Sequence, residues 1–254
     1  MYDLHTHILP GLDDGAKTMS EALEMARIAA GDGSAVLLAT PHSADLASFT
    51  HQEIVERVAE LQQRLDQEGI GLKIVLGMEN HISPDLPKLA EEGQAYTVND
   101  TSYILVELDF NLYPIYTEQV LFELQLKGLR PIIAHPERYA YVQEDVGILE
   151  KLVRRGMLTQ ITGTSLTGDF GAKAKHCSVE LLERNLAHLI ASDTHASVGH
   201  RTPLLTPGVA AAAKVVGEAR ARAMVTSIPE AVLEGKPLGM KEPLLPSKKG
   251  WRLW

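Results

Sequence analysis

Two pairs of residues repeat one spacing: His5 and His7, then Asp193 and His195. Along an extended strand, residues two apart project to the same side, so each pair can clamp one or two cations. Between the pairs, His42, Glu79, Glu107 and His135 each follow closely on a short apolar run. Imidazole and carboxylate donors without thiolate suit borderline to hard divalent ions such as Mn²⁺, Fe²⁺ or Zn²⁺, and the mixture leaves the choice among them open. Two or more such ions bridged by a carboxylate would bring the pKa of a bound water near neutrality and clamp an in-line displacement at phosphorus. The other histidines, His51, His81, His176, His188 and His200, each read as satisfied polar or surface side chains, with His81 and His200 near enough to touch a substrate. Asp85 and Asp109 read as solvated loop or helix-start carboxylates.

These residues can act together only if the chain carries them to one place. Seven short β-rich apolar runs read as strands: Tyr2–Leu4, Ala35–Ala39, Leu72–Leu76, Tyr103–Val106, Pro131–Ala134, Met157–Ile161 and Ala187–Ala191. Segments of helical periodicity alternate with them, at Met19–Ala30, Gln52–Glu68, Thr117–Lys127, Val146–Arg155, Ala172–Arg184 and Pro207–Val216. Gly31, Gly33, Gly69, Gly71, Gly128 and Gly156 fall where left-handed helix ends are expected. Strands alternating with helical crossovers predict an α/β fold with parallel strands, most simply one barrel. Six of the seven strands run directly into the polar residues above. In a barrel of parallel strands every C-terminal end opens on the same rim, which is where such folds carry their chemistry.

With 254 residues, 45% of them apolar, the chain can bury a large core. Residues 1–236 are expected to form the barrel and residues 237–254, rich in Pro and Lys, an extension whose Trp251 and Trp254 dock on the barrel or on another subunit. A formal net charge of −9 without a lysine or arginine block argues against nucleic acid as a partner. The single cysteine, Cys177, rules out an internal disulfide framework and a zinc ribbon. No apolar run approaches the roughly 20 residues of a membrane span. Asp3, His5 and His7 interrupt the place of a signal peptide, so a cytoplasmic protein is expected.

Taken in order, seven motifs resemble the PHP (polymerase and histidinol phosphatase) family, and more closely its bacterial protein tyrosine phosphatases that regulate capsule and exopolysaccharide synthesis. They are Asp3-Leu4-His5-Thr6-His7, Leu12-Asp13-Asp14-Gly15, Thr40-Pro41-His42, Gly77-Met78-Glu79, Val106-Glu107, Ala134-His135-Pro136-Glu137-Arg138-Tyr139 and Ala191-Ser192-Asp193-Thr194-His195. The resemblance implies a distorted (β/α)7 TIM-like barrel of the PHP type. It implies up to three divalent ions, usually manganese in this branch, on His5, His7, Asp14, His42, Glu79, Glu107, His135, Asp193 and His195. Asp13 competes with Asp14 for its place, because a one-residue slip on a loop is invisible to spacing. Arg138 and Arg201 are implied as phosphate ligands, for which a permanently charged guanidinium fork is suited. The chain departs from the family at Gly199-His200, where an acidic–glycine step is usual before Arg201. It departs again at Thr162-Gly163-Thr164-Ser165, where an Asn-Ser stretch is usual. Both changes touch the rim of the phosphate pocket.

Three divalent ions against four carboxylates, Asp14, Glu79, Glu107 and Asp193, leave a local surplus of about +2, which suits a phosphate dianion. Distant surface acids are screened beyond roughly 8 Å at physiological salt. The expected activity is therefore a metal-dependent phosphomonoester hydrolase, with attack by a metal-bridging hydroxide and no phosphoenzyme. The resemblance alone implies the substrate, a phosphotyrosine protein, the tail of a bacterial tyrosine kinase. Cys177 lies in a helical pattern without the Cys-x5-Arg loop of cysteine phosphatases and is not expected to act as nucleophile. Asn111, Tyr113 and Tyr116 could flank a phenyl ring at the rim, although a loop or core role is the leading reading of each. The competing readings are a histidinol-phosphate or other small-molecule phosphatase, a phosphodiesterase or exonuclease on the same cluster, and a metal-binding regulatory module without activity.

Overall fold

Among the described residues, eight short strands build the scaffold, all paired in parallel. β1 (Tyr2–Thr6), β2 (Val36–Ala39) and β3 (Lys73–Leu76) form one sheet in that order. β4 (Asn80–His81), β5 (Tyr103–Glu107), β6 (Arg130–Ala134), β7 (Leu158–Thr162) and β8 (Leu189–Ala191) form the second. The computed structural model describes residues 1–239 and 241–244, so the expected docking of Trp251 and Trp254 lies outside the described residues. The architecture is thus α/β with two parallel sheets.

All seven expected strands are present to within two residues at each end. The eighth, Asn80–His81, is too short for any alternation to announce it. It continues the run that begins at β3, where the partner changes from β2 to β5. A bridge between His42 and Glu79 marks the changeover. At the other edges, the Asp193 N–H donates to the His5 carbonyl (3.0 Å) and the His7 N–H to the Thr194 carbonyl (2.9 Å).

The helices with a readable period are α1 (Met19–Gly31), α2 (His51–Gln67), α4 (Thr117–Leu126), α6 (Gly147–Arg154), α8 (Gly171–Glu183) and α9 (Thr206–Val216). Thr18 caps α1, and Thr50 with Glu53 forms a reciprocal capping box on α2. Sequence reasoning missed α3 (Leu86–Glu91), α5 (Ala140–Glu144), α7 (Gly163–Thr167), α10 (Glu218–Ala223) and α11 (Ser227–Leu233). None of these reaches two full turns, so apolar spacing had no room to repeat. Gly33, Gly69, Gly128 and Gly156 do take positive φ after α1, α2, α4 and α6. Gly31 and Gly71 do not: Gly31 is still helical and ends α1.

Three apolar clusters hold the layers. One packs α4, α6, α8 and α9 against the second sheet, and another packs α1 and α2 against the first. The third takes Leu4, Leu38, Val75, Leu105, Ile132, Leu158 and Leu189 from seven of the eight strands. Leu238 packs against this third cluster, and the carbonyls of Glu242 and Leu244 accept from Asn185 and Arg184 at the end of α8. No helix among the described residues is long and apolar enough to cross a membrane.

Three local irregularities decide what faces inward at the strand ends. The β1–β2 register shifts between Asp3 and Thr6, a bulge. Leu4 therefore joins the third cluster while His5, one residue on, faces Glu79 and Gln160. His135 and Asp193 follow β6 and β8 with φ of 30° and 51°, left-handed backbone that non-glycine residues rarely take. Such positions persist where the surroundings enforce them, commonly at functional sites.

Candidate metal centre

The nine residues expected as ligands converge. Four groups, each with its donor atoms within 4.8 Å of one another, account for all of them. These are His7 with Asp14, His42 and His195; His5 with His7 and Asp193; His5 with Glu79 and His135; and His42 with Glu79 and Glu107. Glu79, fully buried between β3 and β4, is the hub. Its Oε1 lies 2.7 Å from His135 Nε2, and its Oε2 lies 3.1, 3.3 and 3.0 Å from nitrogens of His5, His7 and His42. Yet Oε2 satisfies no hydrogen-bond geometry, and buried His195 Nε2 is likewise without a hydrogen-bond partner. Unpartnered buried polar atoms in a cluster of hard and borderline donors fit divalent cations as the missing partners.

Geometry separates the two aspartates on the loop after β1. The Oδ1 of Asp14, largely exposed, stands 3.1 Å from His195 Nε2 and 3.3 Å from His42 Nε2, inside one ligand group. Asp13 is buried behind it and accepts from His7 Nδ1 at 2.7 Å, from the Gly15 N–H at 2.9 Å and from the His42 N–H at 3.2 Å. It fixes the ring of His7 with Nε2 turned to the cluster, as a carboxylate behind a metal-binding histidine does. Gly15 makes the loop possible, since a Cβ there would lie 2.0 Å from the His7 carbonyl oxygen. His5 is held the same way, with Nδ1 3.0 Å from Gln160 Oε1. Sequence reasoning missed Gln160; its only signal was one long polar side chain inside the strand run Met157–Ile161.

The charges balance by proton sharing. Burial opposes charge on His7, but Asp13 and Glu79 outweigh it and hold its pKa up at about 10. Burial would raise Asp13, yet His7 brings it down to about 2. Burial together with cationic His7 pushes His195 down to about 3. Asp193 is held below the ordinary range against its burial by His5, Arg201, His135 and Arg138. The site thus concentrates carboxylate charge that must be answered by cations, whether protons or metal ions.

Both expected arginines reach this edge. Arg138 Nη1 donates to Asp193 Oδ2 at 2.6 Å, and Arg201 Nη2 lies 3.0 Å from both Asp193 oxygens. Glu137, next to Arg138 and fully buried, accepts from the Thr162 N–H and the Ser165 hydroxyl, tying the departing stretch to this loop. His81 lies 3.4 Å from Glu107 Oε2, and His200 packs on Phe170. Cys177 is buried in α8, its thiol pushed up by burial, which disfavours the thiolate that a nucleophile needs. Tyr113 and Tyr116 lean on the first cluster, Tyr113 edge-on to Tyr141.

A family model described as capsular polysaccharide synthesis, CpsB/CapC, matches residues 1–234. The chain belongs to this family. Among CpsB/CapC relatives, the tyrosine-protein phosphatase YwqE of Bacillus subtilis is 41% identical over 196 residues, 77% of each chain. The putative tyrosine-protein phosphatase CapC of Staphylococcus aureus is 36% identical over the same share. From the crystal structures of YwqE of Bacillus subtilis and CpsB of Streptococcus pneumoniae, metal-dependent tyrosine phosphatases, one chain superposes with a TM-score of 0.91. It is 36% identical, and the match covers 96% of this chain and 98% of that one. A β-aspartyl dipeptidase of Fervidobacterium islandicum, 14% identical with a TM-score of 0.54 over 95% of this chain and 75% of its own, shares the fold alone.

Proposed function

We propose that this CpsB/CapC chain is a metal-dependent phosphomonoester hydrolase acting on phosphotyrosine in a protein. The observation that carries the reading is the set of four overlapping donor groups, two of them sharing Glu79, with Arg138 and Arg201 on its edge. In this reading His5, His7, Asp14, His42, Glu79, Glu107, His135, Asp193 and His195 hold up to three divalent ions, manganese first among them. The scaffold is a distorted (β/α)7 barrel of the PHP type, with residues 1–236 as catalytic domain and 237–254 as extension. The third apolar cluster, drawn from both sheets, supports it. The substrate is the phosphorylated tail of a tyrosine kinase of polysaccharide synthesis, met in the cytoplasm. The family description and the names of YwqE, CapC and CpsB support that choice.

Bound divalent ions would supply an acidified water as nucleophile and offset phosphoryl charge. The chain's own residues do the rest. Asp13 and Gln160 keep the rings of His7 and His5 turned to the cluster. Arg138 and Arg201, each with a planar fork, bind the phosphoryl oxygens and stay charged while negative charge builds on the transferred group. Asp193 orients both forks before substrate arrives. A tyrosyl ester leaves as a phenolate, so it demands less of a general acid than a seryl ester does.

The test compares Mn²⁺-dependent hydrolysis of a phosphotyrosine peptide, histidinol phosphate and single-stranded DNA by the same preparation. The peptide is expected to be turned over fastest. Preference for either of the others would replace the proposed substrate class, and inertness towards all three after metal loading would favour a regulatory module.

A further inference from the structure

Two rings that no sequence motif singles out stand beside the arginine proposed to bind phosphate. Phe110, at the loop after β5, has its ring centroid 5.0 Å from the Arg138 guanidinium carbon, and Phe170, just before α8, has its centroid 4.4 Å from it. Phe110 is fixed from behind. Its ring stacks on His135 (5.4 Å, 14°) and meets Tyr139 edge-on, and its carbonyl accepts from the Ala140 N–H. Phe170 has no such role, because it packs on none of the three apolar clusters. Its aromatic neighbour is His200, edge-on at 5.8 Å, and it remains half-buried. The guanidinium that both rings touch is already held by Asp193 at 2.6 Å, so a second ring is not needed to position it.

We propose that Phe110 and Phe170, both packed on Arg138, line a slot beside its guanidinium that takes the leaving-group ring of an aryl phosphate and so select aryl over alkyl phosphomonoesters. The proposal rests on the phosphatase reading above. A phosphoryl group held by Arg138 and Arg201 would bring its ester oxygen close to these two rings, and a substrate ring one bond further out would meet them at ordinary aromatic spacing, roughly 4.5–7 Å between centroids. An alkyl chain at the same place forgoes the edge-to-face contact. Tyr113 and Tyr116 lean on the first apolar cluster, as the core reading of them expects, and Asn111 is exposed.

Binding of benzylphosphonate, in which a methylene replaces the ester oxygen, and n-butylphosphonate to the Mn²⁺-loaded protein, measured by calorimetry, tests this. Phe170 is the position to vary, because Phe110 leans on His135. The wild type is expected to prefer benzylphosphonate, and Phe170→Ala and Phe170→Leu should each cut that preference roughly three- to tenfold. Phe170→Tyr should retain it. Equal weakening of both phosphonates in Phe170→Ala would show a ring that only supports Arg138 and would overturn the proposal, as would an unchanged preference. A wild type that binds benzylphosphonate no better than butylphosphonate, yet hydrolyses the phosphotyrosine peptide, also refutes the slot and spares the phosphatase. If neither phosphonate binds and no phosphoester is hydrolysed, the phosphatase reading fails and takes the slot with it.

Discussion

Adjacent aspartates on one loop carry different work because their side chains meet different atoms. Asp14 joins the imidazoles of His42 and His195, whereas Asp13 grips the far nitrogen of His7 and two backbone amides. Asp14→Ala should lower the number of Mn²⁺ ions bound per chain. Asp13→Ala should keep that number and weaken affinity about 10- to 100-fold, the usual effect of losing the group behind a metal-binding histidine. Elemental analysis beside calorimetric titration separates the two, and a loss of stoichiometry in Asp13→Ala would reverse the assignment. The arginines make a parallel case. Arg138→Lys keeps the charge but not the fork, so kcat is expected to fall on the order of 100-fold with metal content unchanged. Steady-state kinetics on metal-assayed protein checks this.

Elements aim those residues through departures from regularity. The β1 bulge turns Leu4 and His5 to the same side, and left-handed backbone at His135 and Asp193 swings each ring or carboxylate in from the strand end. Behind β7 and β8, α7 and α9 touch through a glycine contact that is not symmetric. A Cβ on Gly208 would lie 2.5 Å from the Gly163 Cα, whereas a Cβ on Gly163 would find nothing nearer than 3.7 Å. Gly208→Ala must push α9 away and is expected to cost on the order of 1–3 kcal/mol. Gly163→Ala, inside a helix, should be close to neutral. Thermal denaturation of the pair decides the point, and equal effects would mean the contact yields more easily than its geometry suggests. Sequence periodicity read the longer helices well, but a helix of five to seven residues and a bulge leave no repeat to detect.

At the scale of the molecule, buried charge gathered from many strands is the organising fact. Metal ions must compete with a proton on His7, whose pKa stands near 10 in the cation-free site. On the proposed reading the neutral ring is the ligand, so lowering pH favours the proton, and raising pH towards 10 favours the metal. The apparent Mn²⁺ affinity should therefore rise by up to about tenfold per pH unit between pH 6 and 9, with proton release on binding. Calorimetry in buffers of different ionisation enthalpy measures both, and a flat profile would mean that His7 is already neutral before the ion arrives. The list of donors, their position at strand ends and the alternation of strand and helix were legible in the chain itself, because strand period, helix punctuation and apolar runs are local properties. Local order could not choose between Asp13 and Asp14, hand the third strand from β2 to β5, give Gln160 to His5, or set Phe110 and Phe170 around Arg138. Each of these is a contact between segments separated by tens of residues or a one-residue choice of face, and only the packed structure fixes which atoms meet.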